Sequence, residues 1–191
     1  MRPFKHSSFS PLWFAVAALA AVLGWCRGES GAENYLCEGT FALCTSAPCV
    51  PLPNSGQAAC SCEVLRGKSM ASVPCDQVAP TRGTSGTEMV YSMFSLAQFA
   101  QGKEAMTCAK NTPWTWCLNK PCTVDPADPD RALCVCDIIT SSTREWMTLG
   151  GRCDASTCQT AFWSGASLED FEQGSEFMKK NGQSIQPRWC E

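Results

Sequence analysis

The sequence predicts a small disulfide-rich α+β fold: two tandem homologous units, each a β-hairpin plus a short helix, with a truncated third repeat at the C-terminus. Three observations carry this expectation. Fifteen cysteines stand in 191 residues, their spacing recurs at a fixed period, and each period contains a serine-led run with leucine and phenylalanine at helical spacing. Cysteine usage of this kind belongs to oxidising compartments, where disulfides supplement cores too small to hold alone.

Residues 1–26 read as a signal peptide. Arg2, Lys5 and His6 precede an uncharged run from Leu12 to Leu23, which Gly24 and Arg27 bring to an end. A membrane-spanning helix needs about 20 apolar residues, so this run is too short to cross. Cleavage after Cys26 leaves fourteen cysteines, an even number that can pair completely. A bacterial lipoprotein anchored through Cys26 is the competing reading, against which Trp25 stands where a small residue is needed. The expected location is secreted: extracellular, or periplasmic in a bacterium.

Laid over itself, the chain matches in two halves. Cys44 and Cys49 recur as Cys117 and Cys122 at an offset of 73, and Cys60 and Cys62 recur as Cys134 and Cys136 at 74. Cys75 recurs as Cys153, and the stretch from Tyr91 to Met106 aligns without gaps on Trp163 to Met178. Repeat 1 is therefore placed at 33–107 and repeat 2 at 108–191. Cys190 lies 73 residues beyond Cys117 in a similar Pro/Trp/Cys context, which reads as the start of a third copy.

Within each unit the elements follow in one order. Strand-type runs at Phe41 to Val50 and Trp114 to Val124 lead into polar turns, PLPNSGQ and DPADPD. The return strands are Ala58 to Leu65 and Arg131 to Thr140. Alternation puts both sulfurs of Cys-Ser-Cys, and both of Cys-Val-Cys, on one face. Pro80 to Thr87 reads as a surface loop. Ser95 with Gln98, and Ser167 with Asp170, then stand at capping-box spacing ahead of Leu96/Phe99 and Leu168/Phe171, predicting one short helix per unit.

All cysteines of the mature chain are expected in disulfides: Cys37, Cys44, Cys49, Cys60, Cys62, Cys75, Cys108, Cys117, Cys122, Cys134, Cys136, Cys153, Cys158 and Cys190. A Cys158–Cys190 bond would leave six per unit, which still allow 15 pairings. Cys-x-Cys pairs could also chelate a soft metal through thiolates, but an oxidising space favours cystine.

Composition excludes several kinds of chemistry. The sole histidine is His6, so beyond the signal peptide there is no imidazole for a catalytic triad, a general base or a His-ligated zinc. Removing Arg2 and Lys5 leaves thirteen basic against eighteen acidic residues, a net charge of −5, with Lys179-Lys180 the single adjacent basic pair after Arg27. No nucleic-acid partner is expected of such a chain, and no membrane span.

Asp125, Asp128 and Asp130 form a weak calcium candidate, although Asp and Pro are ordinary turn formers. Glu169, Asp170, Glu172 and Glu176 could hold a general acid and base, or form a solvated helix face. Trp114 and Trp116, alternating about Thr115, together with Trp163, are the candidate ligand-binding residues, because amphipathic aromatics serve stacking surfaces and hot spots. The expected function is a secreted, non-enzymatic, disulfide-stabilised binding protein without a cofactor. Its partner is an extracellular carbohydrate or protein recognised through aromatic surface residues. The alternatives are a small carboxylate hydrolase and a rigid-loop enzyme inhibitor.

The intact secreted protein is expected to have the mass of a chain beginning between Arg27 and Glu33, with no thiol labelled before reduction and fourteen labelled after it. Labelling without reduction would make the Cys-x-Cys pairs a metal or redox site instead.

Overall fold

The centre of the molecule follows from strand alternation around cysteine. The computed structural model describes residues 33–84, 86–100, 103–140, 143–150, 158, 162–184 and 186–190. The segment expected to be a signal peptide, Cys26 and Cys153 lie outside the described residues. Strand β1 is Tyr35–Leu43, β2 Pro48–Pro51 and β3 Gln57–Ala71; β8 is Pro121–Asp125 and β9 Asp128–Ile139. On β3 the side chains of Ala58, Cys60 and Cys62 point inward; on β9 those of Ala132, Cys134 and Cys136 do so. The two strands pair antiparallel with Cys60 opposite Cys134. The register is symmetric about that pair, since Ala58 faces Cys136 and Cys62 faces Ala132.

Two nested disulfides close each half. Cys44–Cys62 encloses Cys49–Cys60, and Cys117–Cys136 encloses Cys122–Cys134. These four cystines, with Ala42, Ala58, Val90 and Ala132, make one buried cluster. Small alanines opposite the cystines leave room for sulfur, and the sulfurs of Cys44 and Cys134 approach to 3.3 Å across the two halves. Two further bonds, Cys37–Cys75 and Cys108–Cys158, staple the periphery. The Cys158–Cys190 pairing is therefore not formed. Cys190 is itself disulfide-bonded.

The halves exchange strands. β5 (Glu88–Tyr91) pairs with β8, and β11 (Phe162–Trp163) pairs with β2, so each half completes its partner's edge. β4 (Thr81–Arg82), inside the expected surface loop, hairpins onto β5. β1 pairs along nine residues of β3, and β7 (Trp114–Trp116) pairs with β9, completing a nine-stranded sheet.

A second, four-stranded sheet contains β12 (Ala166–Ser167), β10 (Trp146–Gly150), β6 (Glu104–Cys108) and β13 (Arg188–Trp189) in that order. The trailing strand β13 runs parallel to β6, with Trp189 beside Ala105.

The expectation of an α+β fold with a helix in each unit is overturned. The protein is mostly β, and among the described residues one helix exceeds a single turn: α2, Leu168–Lys180. Its counterpart α1, Ala97–Ala100, has four residues. Both begin with a serine whose hydroxyl accepts a backbone N–H: Ser95 from Ala97 at 3.2 Å and Ser167 from Asp170 at 3.1 Å. They diverge downstream. In the second half Lys179, Lys180 and Gly182 (φ 75°) close a full helix, with Gln183 N–H bonding Met178 C=O at 2.9 Å. In the first, the residues matching Glu176 to Met178 are Glu104 to Met106, which are taken by β6 to pair with β10. A one-turn helix gains little by itself, so sheet pairing decides the outcome.

Alanine at Gly165 would place its Cβ 2.4 Å from Met147 O and 2.8 Å from Trp146 Cε3. Gly165→Ala is therefore expected to cost about 1–3 kcal/mol, lowering the thermal midpoint by about 2–4 °C per kcal/mol. At Gly174 the added Cβ meets the flexible Met70 Cε at 3.2 Å. Gly174→Ala should hold or raise the midpoint, because helix propensity favours alanine by about 1 kcal/mol.

Candidate functional site

Strand exchange brings two extended segments, 92–94 and 164–166, across the same end of the sulfur core. Each is held by a turn of the opposite half. Ser92 N–H donates to Lys120 C=O and Ser92 C=O accepts from Asn119 N–H, both at 2.8 Å; Ser164 N–H donates to Ala47 C=O at 3.2 Å and Ser164 C=O accepts from Ser46 N–H at 3.1 Å. Ser46 and Asn119 occupy the left-handed region, with φ of 62° and 59°, which aims these amides at the incoming segment. The Ser164 hydroxyl also accepts from Ala47 N–H at 3.1 Å, and Thr148 Oγ1 donates to Ser164 C=O at 2.9 Å.

Between these segments lies a small cleft of about 50 Å³, open to solvent. Met70, Met93, Phe94, Trp116, Leu118 and Phe171 form most of its wall, and Asp170 stands among the lining residues as their single charge. α2 positions the last two. Its N-cap Ser167 hydroxyl accepts from Asp170 N–H and donates to the Asp170 carboxylate, while Phe171 turns inward against Phe94 at 6.2 Å, Phe99 at 5.9 Å and Trp189 at 5.8 Å, all edge to face. A mainly apolar lining with few polar groups is the usual composition of a binding site, and at this volume the cleft has room for part of one side chain, not for a whole small molecule.

The sequence-predicted aromatics separate. Trp114 is 4% exposed and stacks on Trp146 at 5.8 Å and 11°, so it is a core residue and not an open ligand face. Trp116 meets it edge-on at 5.9 Å and reaches the cleft. Trp163 is half-buried on β11 beside Pro48, away from the cleft. The indole N–H groups of both Trp114 and Trp163 are buried without a hydrogen-bond partner.

The acidic candidates also disperse. Asp125 Oδ1 accepts from Ala127 N–H at 2.9 Å and Asp128 Oδ1 from Asp130 N–H at 3.3 Å, so these carboxylates close the β8–β9 turn. Among the described residues, the groups close enough to share a metal are cystine sulfurs around Cys44, and all of them are in disulfides. On α2, Glu169 pairs with Arg144 and Glu176 with Lys179. No helix among the described residues is long and apolar enough to cross a membrane.

No family model, curated protein or solved structure matches this chain. The cleft is thus read from its own chemistry. Sequence reasoning missed Met70, Met93, Phe94 and Leu118, which come from three separate places in the chain. The one available signal was the aligned Tyr91–Met106 and Trp163–Met178 stretches, which contribute Phe94, Asp170 and Phe171. It also missed an outward sheet face where Val50 (70% exposed), Ala59 and Val135 lie side by side, next to Leu133 (54%).

Beside the cleft, Lys120 Nζ lies 2.6 Å from Asp137 Oδ2. Its hydrogen bond holds the Asp137 carboxyl below the usual carboxylate range, with help from Gln57 and against the effect of burial. A lowered folded-state pKa contributes stability that is present above the unfolded value and lost as pH falls through the folded one. Lys120→Met should therefore raise the Asp137 pKa in a carboxyl ¹³C NMR titration. Any stability deficit of that variant should close in acid, once Asp137 is protonated in both proteins.

Proposed function

We propose that this is a secreted, non-enzymatic binding protein whose disulfides hold open an apolar-walled cleft, and that a protein partner inserts the apolar part of a side chain there. Six described disulfides in one small β-rich body support an oxidising, extracellular location. The observation that carries the binding reading is the lining of the cleft: two methionines and three aromatics, with little side-chain polarity to match a sugar's hydroxyls. Methionine and aromatic side chains are the adaptable and the anchoring elements of protein-recognition surfaces. Asp125 and Asp128 serve backbone turns, which weighs against the hydrolase alternative.

The matching halves are read as an internal duplication that has produced one site. Corresponding positions differ where the cleft forms: Phe94 answers to Ala166, Met93 to Gly165 and Leu118 to Thr45. Bivalent engagement is therefore not required.

A random-peptide library displayed on phage tests the reading. Enriched peptides should share one anchor side chain and bind at least about tenfold more weakly to Trp116→Ala, which removes a wall, and to Thr45→Trp, which fills the space. Thermal melts should show both variants folded. Peptides that bind all three proteins equally would place recognition elsewhere and discard the cleft.

A further inference from the structure

We propose that the side chain the cleft receives is cationic, an arginine or lysine of the partner, with its stem among the aromatics and its head on Asp170. This rests on the cleft being the binding site. It follows from a charge mismatch inside that site.

Asp170 is the one charged residue among the lining, and no ion pair is recorded for it among the described residues. On the same helix Glu169 has Arg144 and Glu176 has Lys179, whereas Glu172, like Asp170, has no ion pair among the described residues but does not line the cleft. The carboxylate is held in place by the Ser167 hydroxyl at the N-terminal end of a thirteen-residue helix, which fixes its direction. It is thus an ordered carboxylate at an apolar cleft, with no basic partner among the described residues.

The walls complement the same ligand. Trp116, Phe94 and Phe171 present aromatic surface, whose electron-rich faces attract cations, and the Met70 and Met93 thioethers are polarisable. An aliphatic alcohol or a norleucine side chain would satisfy the walls and leave Asp170 to water. Arginine and lysine satisfy both, because they bury an apolar stem while directing the charged head to an edge. Arginine fits better than lysine, since its planar head is weakly hydrated and stacks on aromatic rings. The chain's negative net charge steers such a partner inward.

The test uses four peptides, Ac-Gly-Leu-X-Leu-Gly-NH₂, with X as arginine, citrulline, norleucine or glutamate, titrated against the full disulfide-bonded protein. The readout is the Trp116 indole N–H resonance. Citrulline keeps the shape of arginine and removes its charge. The arginine peptide is expected to bind at least about tenfold more tightly than citrulline or norleucine, with glutamate weakest. Asp170→Asn, which keeps a capping side chain at that position, should erase the difference between arginine and citrulline. Glu169→Gln should preserve it, separating a local partner from general attraction. Equal binding of arginine, citrulline and norleucine to the wild type would overturn the cationic ligand while leaving the apolar cleft standing. No perturbation of Trp116 by any peptide would overturn both.

Discussion

Everything in this fold depends on the packing of four cystines across one strand register. Cys60 opposite Cys134 sets two nested disulfide pairs against each other, and the core between the halves is sulfur and alanine with little large aliphatic side chain. A core of alanine and cystine buries little large aliphatic area, and cross-links that restrict the unfolded chain, each contributing about 2–4 kcal/mol, supply what area does not. Placing the bonds at the interface between the halves has a second effect. The same atoms that close each hairpin also hold the hairpins together.

The reciprocal exchange of β5 and β11 makes the halves inseparable, because each edge strand hydrogen-bonds to the other half. It also creates the site. Two extended segments that would otherwise run along a sheet edge are drawn across the end of the core. Turns at Ser46 and Asn119 grip them through paired backbone bonds. The cleft lies between them, walled by residues that differ between the halves, while the turns that hold them make matching bonds. A rigid frame with a variable lining suits the recognition proposed for it, since a pre-ordered surface loses little entropy on binding.

The closest sequence correspondence in the chain shows how context overrides local preference. Tyr91–Met106 and Trp163–Met178 share their serines, leucine, phenylalanine, glutamine, glycine, glutamate and final methionine in register. One becomes a single helical turn followed by a strand and the other a thirteen-residue helix. Propensity differences between them are a few tenths of a kcal/mol per residue, whereas β6 gains a full ladder with β10 and contact with β13. The long helix in turn presents Asp170 and Phe171 to the cleft.

The sequence by itself determined the cysteine framework, the matching halves, the turns after β2 and β8, and the inward face of Cys-x-Cys. Each of these is written in spacing and alternation between near neighbours. It also exposed the serine caps, where a side chain bonds a backbone group a few residues on. Tertiary structure alone decided which half each edge strand joined, because β5 can pair equally well, by local pattern, with β2 or with β8. It decided that Trp114 is core and Trp116 is wall, since alternation puts both on one face but says nothing of what covers that face. It decided that Asp125 and Asp128 close a turn. And it assembled the cleft from Met70, Phe94, Trp116 and Phe171, residues whose proximity depends on the strand exchange and so leaves no periodic trace in the chain.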